Sequence, residues 1–224
     1  MDTQAMIEDI RKAIIEGDKT ATTYATQTAL DAGVNALTIL NQGLTAGIDE
    51  VGDLFEQGEY FLPELMLSVR AMQAGLGLVK PIIESQNLDR SNDDTGTVVI
   101  ATIQSDIHDI GKNLVASMLS AGGFTVYDLG VDVPVQTITA KAKEVRADII
   151  AVSALLTTSQ PFMRDLVDIL KASGARDQYK VMVGGASVTP EYAEKIGADG
   201  TSANAVEAVR LAHRLIHEKH GMGK

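Results

Sequence analysis

At 224 residues, 45% hydrophobic and 22% charged, the chain is long enough for one large or two small domains with buried cores. A net charge of -11 repels phosphate backbones and argues against nucleic acid, and no apolar run reaches the roughly 18 residues that suggest a membrane span. The absence of cysteine removes disulfides, thiolate nucleophiles, iron–sulfur clusters and thiolate zinc sites.

Met1-Asp2-Thr3-Gln4 lacks the basic-then-apolar layout of a secretory leader, so a cytoplasmic setting is expected. From the start to about residue 87 the periodicity is helical. Ile7, Ile10 and Ile14 recur at helical spacing and stop at Glu16-Gly17-Asp18, a helix-ending turn. A second helix is expected over 20–31, closed by Gly33, and a third over about 35–56, closed by Gly58. The fourth is the most regular: Leu65, Val69, Met72, Leu76, Val79 and Ile83 alternate steps of four and three, which lays one apolar stripe along a helix. Pro63 sits just inside its start, where a missing N–H costs nothing. Four such helices with short connections predict a four-helix bundle over 1–88. Polar, aperiodic residues follow, and a linker is expected over 89–96.

From 97 to 224 the period changes. Residues 97–103 (TVVIATI) form a β-branched run. Helix is expected at 114–119, strand at 125–129, helix at 138–145, strand at 149–155, helix at 162–170 and strand at 181–183. A last strand near Thr201 and a helix over about 205–219 complete the expectation: a doubly wound, Rossmann-like or flavodoxin-like domain with five parallel strands. Ligands bind such sheets at the carboxyl ends of the strands.

Three of those ends carry candidate residues. After the first strand comes Asp106-Ile107-His108-Asp109-Ile110-Gly111-Lys112-Asn113. His108 lies in a loop, outside any apolar repeat, and Asp106 can orient its ring. A carboxylate on one imidazole nitrogen fixes the tautomer and makes the other a better metal ligand. Gly111 omits a side chain where the helix begins, so a bulky ligand can approach the backbone. The third strand ends in Ser153-Ala154-Leu155-Leu156-Thr157-Thr158-Ser159 and the fourth in Gly184-Gly185-Ala186-Ser187. A serine among small residues and a bare glycine pair suit a slot for a nucleotide-like tail.

Taken together, Asp106-x-His108-x-x-Gly111, Ser153-x-Leu155 and Gly184-Gly185 resemble the signature of base-off, His-on cobalamin-binding proteins. The string Asp106 to Asn113 and the phrase Asp128-Leu129-Gly130-Val131-Asp132-Val133-Pro134 are similar to the cobalamin-binding region of methionine synthase and to the corrinoid proteins of anaerobic methyltransferase systems. The resemblance covers nearly the whole chain. It implies that His108 is the lower axial ligand of cobalt and that Asp106 and Ser159 form a proton relay to it. It further implies that Gly111, Ser153, Leu155, Thr157, Gly184, Gly185 and Ala186 hold the corrinoid. The phrase 54–65 resembles the helical cap that covers the methyl face of the cobalt, which assigns Phe55, Leu62 and Leu65 to that face.

The implied function is a methyl carrier, not catalytic alone. A substrate-specific methyltransferase loads it, a second methyltransferase passes the methyl group to a thiol or tetrahydrofolate-type acceptor, and a reductive-activation protein restores the cofactor. Methylated amine, betaine, methanol and methoxyaromatic donors are all compatible, and the two-domain layout points toward amine and betaine systems. Two alternatives share the strand-end motifs. The small subunit of an adenosylcobalamin mutase typically lacks the cap, and a cobalamin-based sensor requires a DNA-binding module with a basic face. Relative to methionine synthase, Ala154 replaces a glycine and Thr158 a proline, which leaves the lower base of the corrinoid open. His213 and His217 stand at i, i+4 on the last helix, but no glutamate follows His213, and they read as helix-end residues rather than a metal site.

Overall fold

The computed structural model describes residues 2–85 and 95–221. Most of the expected linker at 89–96 lies outside the described residues. The chain divides into two compact units, one ending at residue 91 and the other beginning at 92.

The first unit is helical. Helix α1 (Thr3–Ile15) is capped by the Asp2 carboxylate, which accepts from Gln4 N–H. In the same way Asp18 caps α2 (Lys19–Asp31) by accepting from Thr20 and Ala21 N–H. The expected third helix is not uniform. It is built of α3 (Ala36–Thr38), a π-helical segment (Ile39–Thr45) and α4 (Ala46–Glu56). Its buried apolar positions explain the break: Ile39 to Leu44 is a step of five, the repeat of a π turn, whereas Leu44, Ile48 and Val51 follow at helical steps. Gly43 and Gly47 face Ile10 and Ile14 of α1, and a Cβ at Gly47 would stand 2.9 Å from the Ile14 Cβ, so this rod packs close to α1. Helix α5 (Leu62–Ser85) buries Leu65, Val69, Met72, Val79 and Ile83 of the stripe read from the sequence, and Leu76 is half-buried.

The second unit alternates strand and helix. Its elements are β1 (Thr97–Thr102), α6 (Ile110–Ala121), β2 (Thr125–Asp128), α7 (Val135–Glu144), β3 (Ile149–Ser153), α8 (Gln160–Ala172), β4 (Lys180–Gly184), α9 (Pro190–Ile196) and α10 (Ala205–Gly221). The strands are parallel in the order β2-β1-β3-β4, so chain direction across the sheet reverses between β1 and β3. Val99, Ala101, Ile150, Val152, Val181 and Val183 pack under α7, α8 and α9. Val98, Ile100, Ile149, Ala151 and Met182 pack under α6 and α10.

Two expectations need correction. The described sheet has four strands, not five. Residues 198–203 (ADGTSA) offer no β-branched apolar run to anchor a fifth, and only a single bridge, Met182 to Gly200, extends the sheet there. Helix α9 was not among the expected elements. Its signals are nonetheless present: Thr189 caps it by accepting from Tyr192 N–H, Pro190 occupies its first turn, and Gly197 closes it at φ +80.

Candidate functional site

The strand order reverses between β1 and β3, and it is outside the carboxyl ends of strands at such a point that doubly wound sheets bind ligands. Past Thr102 the chain enters a loop whose geometry centres on Asp106, a fully buried carboxylate. Its Oδ1 is 2.7 Å from Nδ1 of His108 and accepts the His108 main-chain N–H at 3.0 Å. Its Oδ2 accepts Leu155 N–H at 2.7 Å and Leu156 N–H at 2.9 Å. Burial pushes the Asp106 carboxyl up, but the hydrogen bonds from Leu156, His108 and Leu155 more than offset it and bring the group down to about 2. Asp106 is therefore ionised across the physiological range and holds a proton on Nδ1 of His108. That leaves Nε2 as the ring's lone-pair nitrogen, with no hydrogen-bond partner among the described residues, on a side chain that is about half exposed.

The loop is held from both sides. Ser105 has φ +66, a left-handed conformation that a non-glycine residue keeps only under constraint. Its N–H donates to Asp132 Oδ1 at 2.7 Å, and its carbonyl accepts from Ser159 Oγ at 2.9 Å. Ser159 thus differs from its expected role. Its hydroxyl holds the Ser105 carbonyl rather than the Asp106 carboxylate, whose oxygens are taken up by main-chain N–H groups and the imidazole.

Beside this loop runs a row of small residues. Thr102, Ser153 and Gly184 are register partners across β1, β3 and β4. By strand alternation they project to the same face as Ile100, Ala151 and Met182, the face covered by α6 and α10. Ser153 and Gly184 are partly exposed, and a Cβ built on Gly184 meets nothing within 4 Å. Gly185 is different. At φ +110 its Cβ would fall 2.0 Å from the Ala154 carbonyl oxygen, so only glycine fits that close approach.

Large apolar side chains stand exposed around the histidine: Ile107 and Ile110 are 72% and 83% exposed, with Leu155, Leu156 and Val131 also exposed. A broad apolar floor, a free imidazole nitrogen and a slot of small residues fit a planar macrocycle with a metal centre and a tail, as a corrinoid has.

The remaining expected residues fall as follows. Gly111 lies in the first turn of α6 with open space at its Cβ position, while Thr157 and Ala186 are exposed in the loops after β3 and β4. In the helical unit Phe55 is half-buried and Leu62 exposed, but Leu65 is fully buried in the α5 stripe. His213 stacks against Phe124 with ring centroids 4.8 Å apart, and no group of three or more metal-binding side chains occurs among the described residues.

Sequence reasoning missed several contacts that build the site. The N–H groups of Leu155 and Leu156 hold Asp106, and the signal is main-chain geometry, invisible in residue type. Lys112 is a buried cation paired with Asp128 and Asn113, which ties the start of α6 to the end of β2. Asp132 at φ +52 holds the strained Ser105.

Residues 96–210 match the B12 binding domain family, and residues 6–80 match a second B12 binding domain family. The trimethylamine corrinoid protein 1 of Methanosarcina acetivorans is 44% identical over 95% of this chain and 98% of its own. Among solved structures, a cobalamin-binding protein from Desulfitobacterium hafniense superposes with a TM-score of 0.77 at 33% identity, covering 96% of this chain and 98% of that one. A chain of the methanol:cobalamin methyltransferase complex of Methanosarcina barkeri gives a TM-score of 0.81 at 30% identity, covering 95% and 80%.

Proposed function

The chain belongs to the B12-binding corrinoid proteins, and from that premise we propose that it carries a methyl group between two methyltransferases on the cobalt of a bound corrinoid. The observation that carries this reading is His108, whose Nδ1 is locked by a buried carboxylate while Nε2 stands free at the switch point. The corrinoid supplies the cobalt chemistry, taking up and releasing the methyl group. The protein's part would be to supply a nitrogen ligand to the cobalt, and His108 Nε2 is the nitrogen available for it. Asp106 orients the ring and, being ionised, stabilises an imidazolium whenever the ring takes a proton at Nε2. Ser159 assists by holding the strained Ser105 next to Asp106. Gly111, Ser153, Leu155, Thr157, Gly184, Gly185 and Ala186 are the residues we assign to the macrocycle and its tail. Of the three residues assigned to the methyl face, Phe55 is half-buried and Leu62 exposed.

A methylated amine is the preferred donor. Relatives 39–44% identical to this chain are named for trimethylamine and dimethylamine, which supports that preference. A thiol or tetrahydrofolate-type acceptor and a reductive-activation protein complete the expected cycle. The helical unit, matched over 6–80, argues against a mutase subunit, which typically has no cap. No helix among the described residues is long and apolar enough to cross a membrane.

The test is to load the purified protein with cobalamin and use it to capture partners from cells grown on methylamines, betaine or methanol. The captured methyltransferase is then assayed for transfer of isotope-labelled methyl to the bound corrinoid. Capture and transfer from amine-grown cells is the expected result. Transfer only with methanol or betaine would reassign the donor, and capture of a radical mutase would overturn the carrier role.

A further inference from the structure

Three hydrogen bonds fix His108, and only two come from Asp106. The third holds its carbonyl, which accepts from Thr102 Oγ1 at 2.8 Å. Thr102 is the last residue of β1 and is fully buried. Its own main chain is already committed, since its N–H donates to the Gly130 carbonyl and its carbonyl accepts from Val133 N–H. Its backbone is therefore immobile, with the loop after β2 on one side and β3 on the other. The hydroxyl is a donor on a rigid base, aimed at the peptide that follows the imidazole.

We propose that Thr102 is a positioning residue for the axial ligand, setting where His108 Nε2 stands above the sheet. This rests on the reading of His108 as that ligand. The two other bonds act on the N–H and on the ring. The bond to the carbonyl adds a third anchor, on the peptide that follows His108. Thr102 is also the register partner of Ser153, which is paired in turn with Gly184, so the side chain that places the histidine borders the slot proposed for the tail. Ligand placement and slot are thereby joined through one residue. Positional errors well under an ångström matter at a metal ligand, and such precision comes from residues locked by packing and hydrogen bonding.

The test compares Thr102→Val, which keeps the shape and loses the donor, with Thr102→Ser, which keeps the donor and loses a methyl group. Each variant and the wild type are loaded with methylcobalamin, and the ratio of His-on to base-off forms is followed by absorption over a range of temperatures. Affinity for cobinamide, which lacks the tail, and urea stability of the corrinoid-free proteins are measured alongside. Loss of one neutral hydrogen bond predicts a two- to tenfold fall in the His-on ratio for Thr102→Val, with a parallel fall in cobinamide affinity, and Thr102→Ser near wild type in both. A wild-type His-on ratio in Thr102→Val would overturn the proposal. So would an equal fall in Thr102→Ser, which would assign the effect to packing. A wild type that binds methylcobalamin but never shows a His-on spectrum would instead overturn the axial role of His108, and the proposal with it.

Discussion

One oxygen of Asp106 grips His108 twice: Oδ1 is 2.7 Å from the ring Nδ1 and 3.0 Å from the main-chain nitrogen. The other oxygen reaches across the switch point to two consecutive N–H groups, those of Leu155 and Leu156. A single buried carboxylate thus orients the imidazole, sets its backbone and ties the loop after β1 to the loop after β3. Such charge-assisted bonds are shorter and stronger than neutral ones, which holds the carboxylate in place.

His108→Ala should keep its corrinoid, because the apolar floor and the slot are untouched. The absorption spectrum of the bound methylcobalamin should shift to the yellow, base-off form. A spectrum identical to wild type would remove His108 from the axial position.

Asp106 makes a pH-dependent contribution to stability whose sign follows from its depressed carboxyl, about 2 against an ordinary 3.8. A depressed group stabilises the fold above the ordinary value and loses that contribution as pH falls from about 4 through about 2. The difference corresponds to about 2 kcal/mol. Asp106→Asn should therefore be less stable by at least about this amount at pH 7, with the gap shrinking toward pH 2. Urea unfolding of the corrinoid-free protein at a series of pH values checks this, and a gap that does not change with pH would show that the carboxylate is not the stabilising group.

The glycine pair after β4 should divide its roles. Gly185→Ala places a Cβ 2.0 Å from the Ala154 carbonyl oxygen at a left-handed φ, so it should cost about 3 kcal/mol or more and disturb the loop that holds Asp106. Gly184→Ala meets nothing within 4 Å and should change stability by only about 0.5 kcal/mol. It should nonetheless weaken cobalamin more than tail-less cobinamide, because its Cβ enters the slot. Thermal unfolding and calorimetric titration separate the two, and equal weakening of both corrinoids would place the tail elsewhere.

The three residues assigned to the methyl face should also separate. Leu65→Ala empties a fully buried position and should cost about 3 kcal/mol. Leu62→Ala, on an exposed side chain, should cost about 0.5 kcal/mol. Photolysis of bound methylcobalamin should quicken in Leu62→Ala and in Phe55→Ala, because each removes part of the cage around the radical pair. Photolysis unchanged in both would remove the pair from the methyl face.

Much of this protein was legible in the residue order because the signals are local. The α5 stripe from Leu65 to Ile83 is a helical repeat, and the runs at 97–103 and 149–155 are β-branched. The motif Asp106-x-His108 is equally local, since both bonds from Oδ1 span two residues. What the order of residues could not determine depends on groups far apart in the chain. Leu155 and Leu156 act on Asp106 through main-chain N–H groups that every residue but proline carries, across 49 and 50 positions. Ser159 was legible as a partner of this site but not of which atom, because a hydroxyl chooses among acceptors by position, and the fold brings the Ser105 carbonyl to it across 54 residues. The row Thr102, Ser153 and Gly184 exists only through the register of parallel strands. Periodicity fixes which face a residue takes, but long-range pairing alone decides what stands beside it.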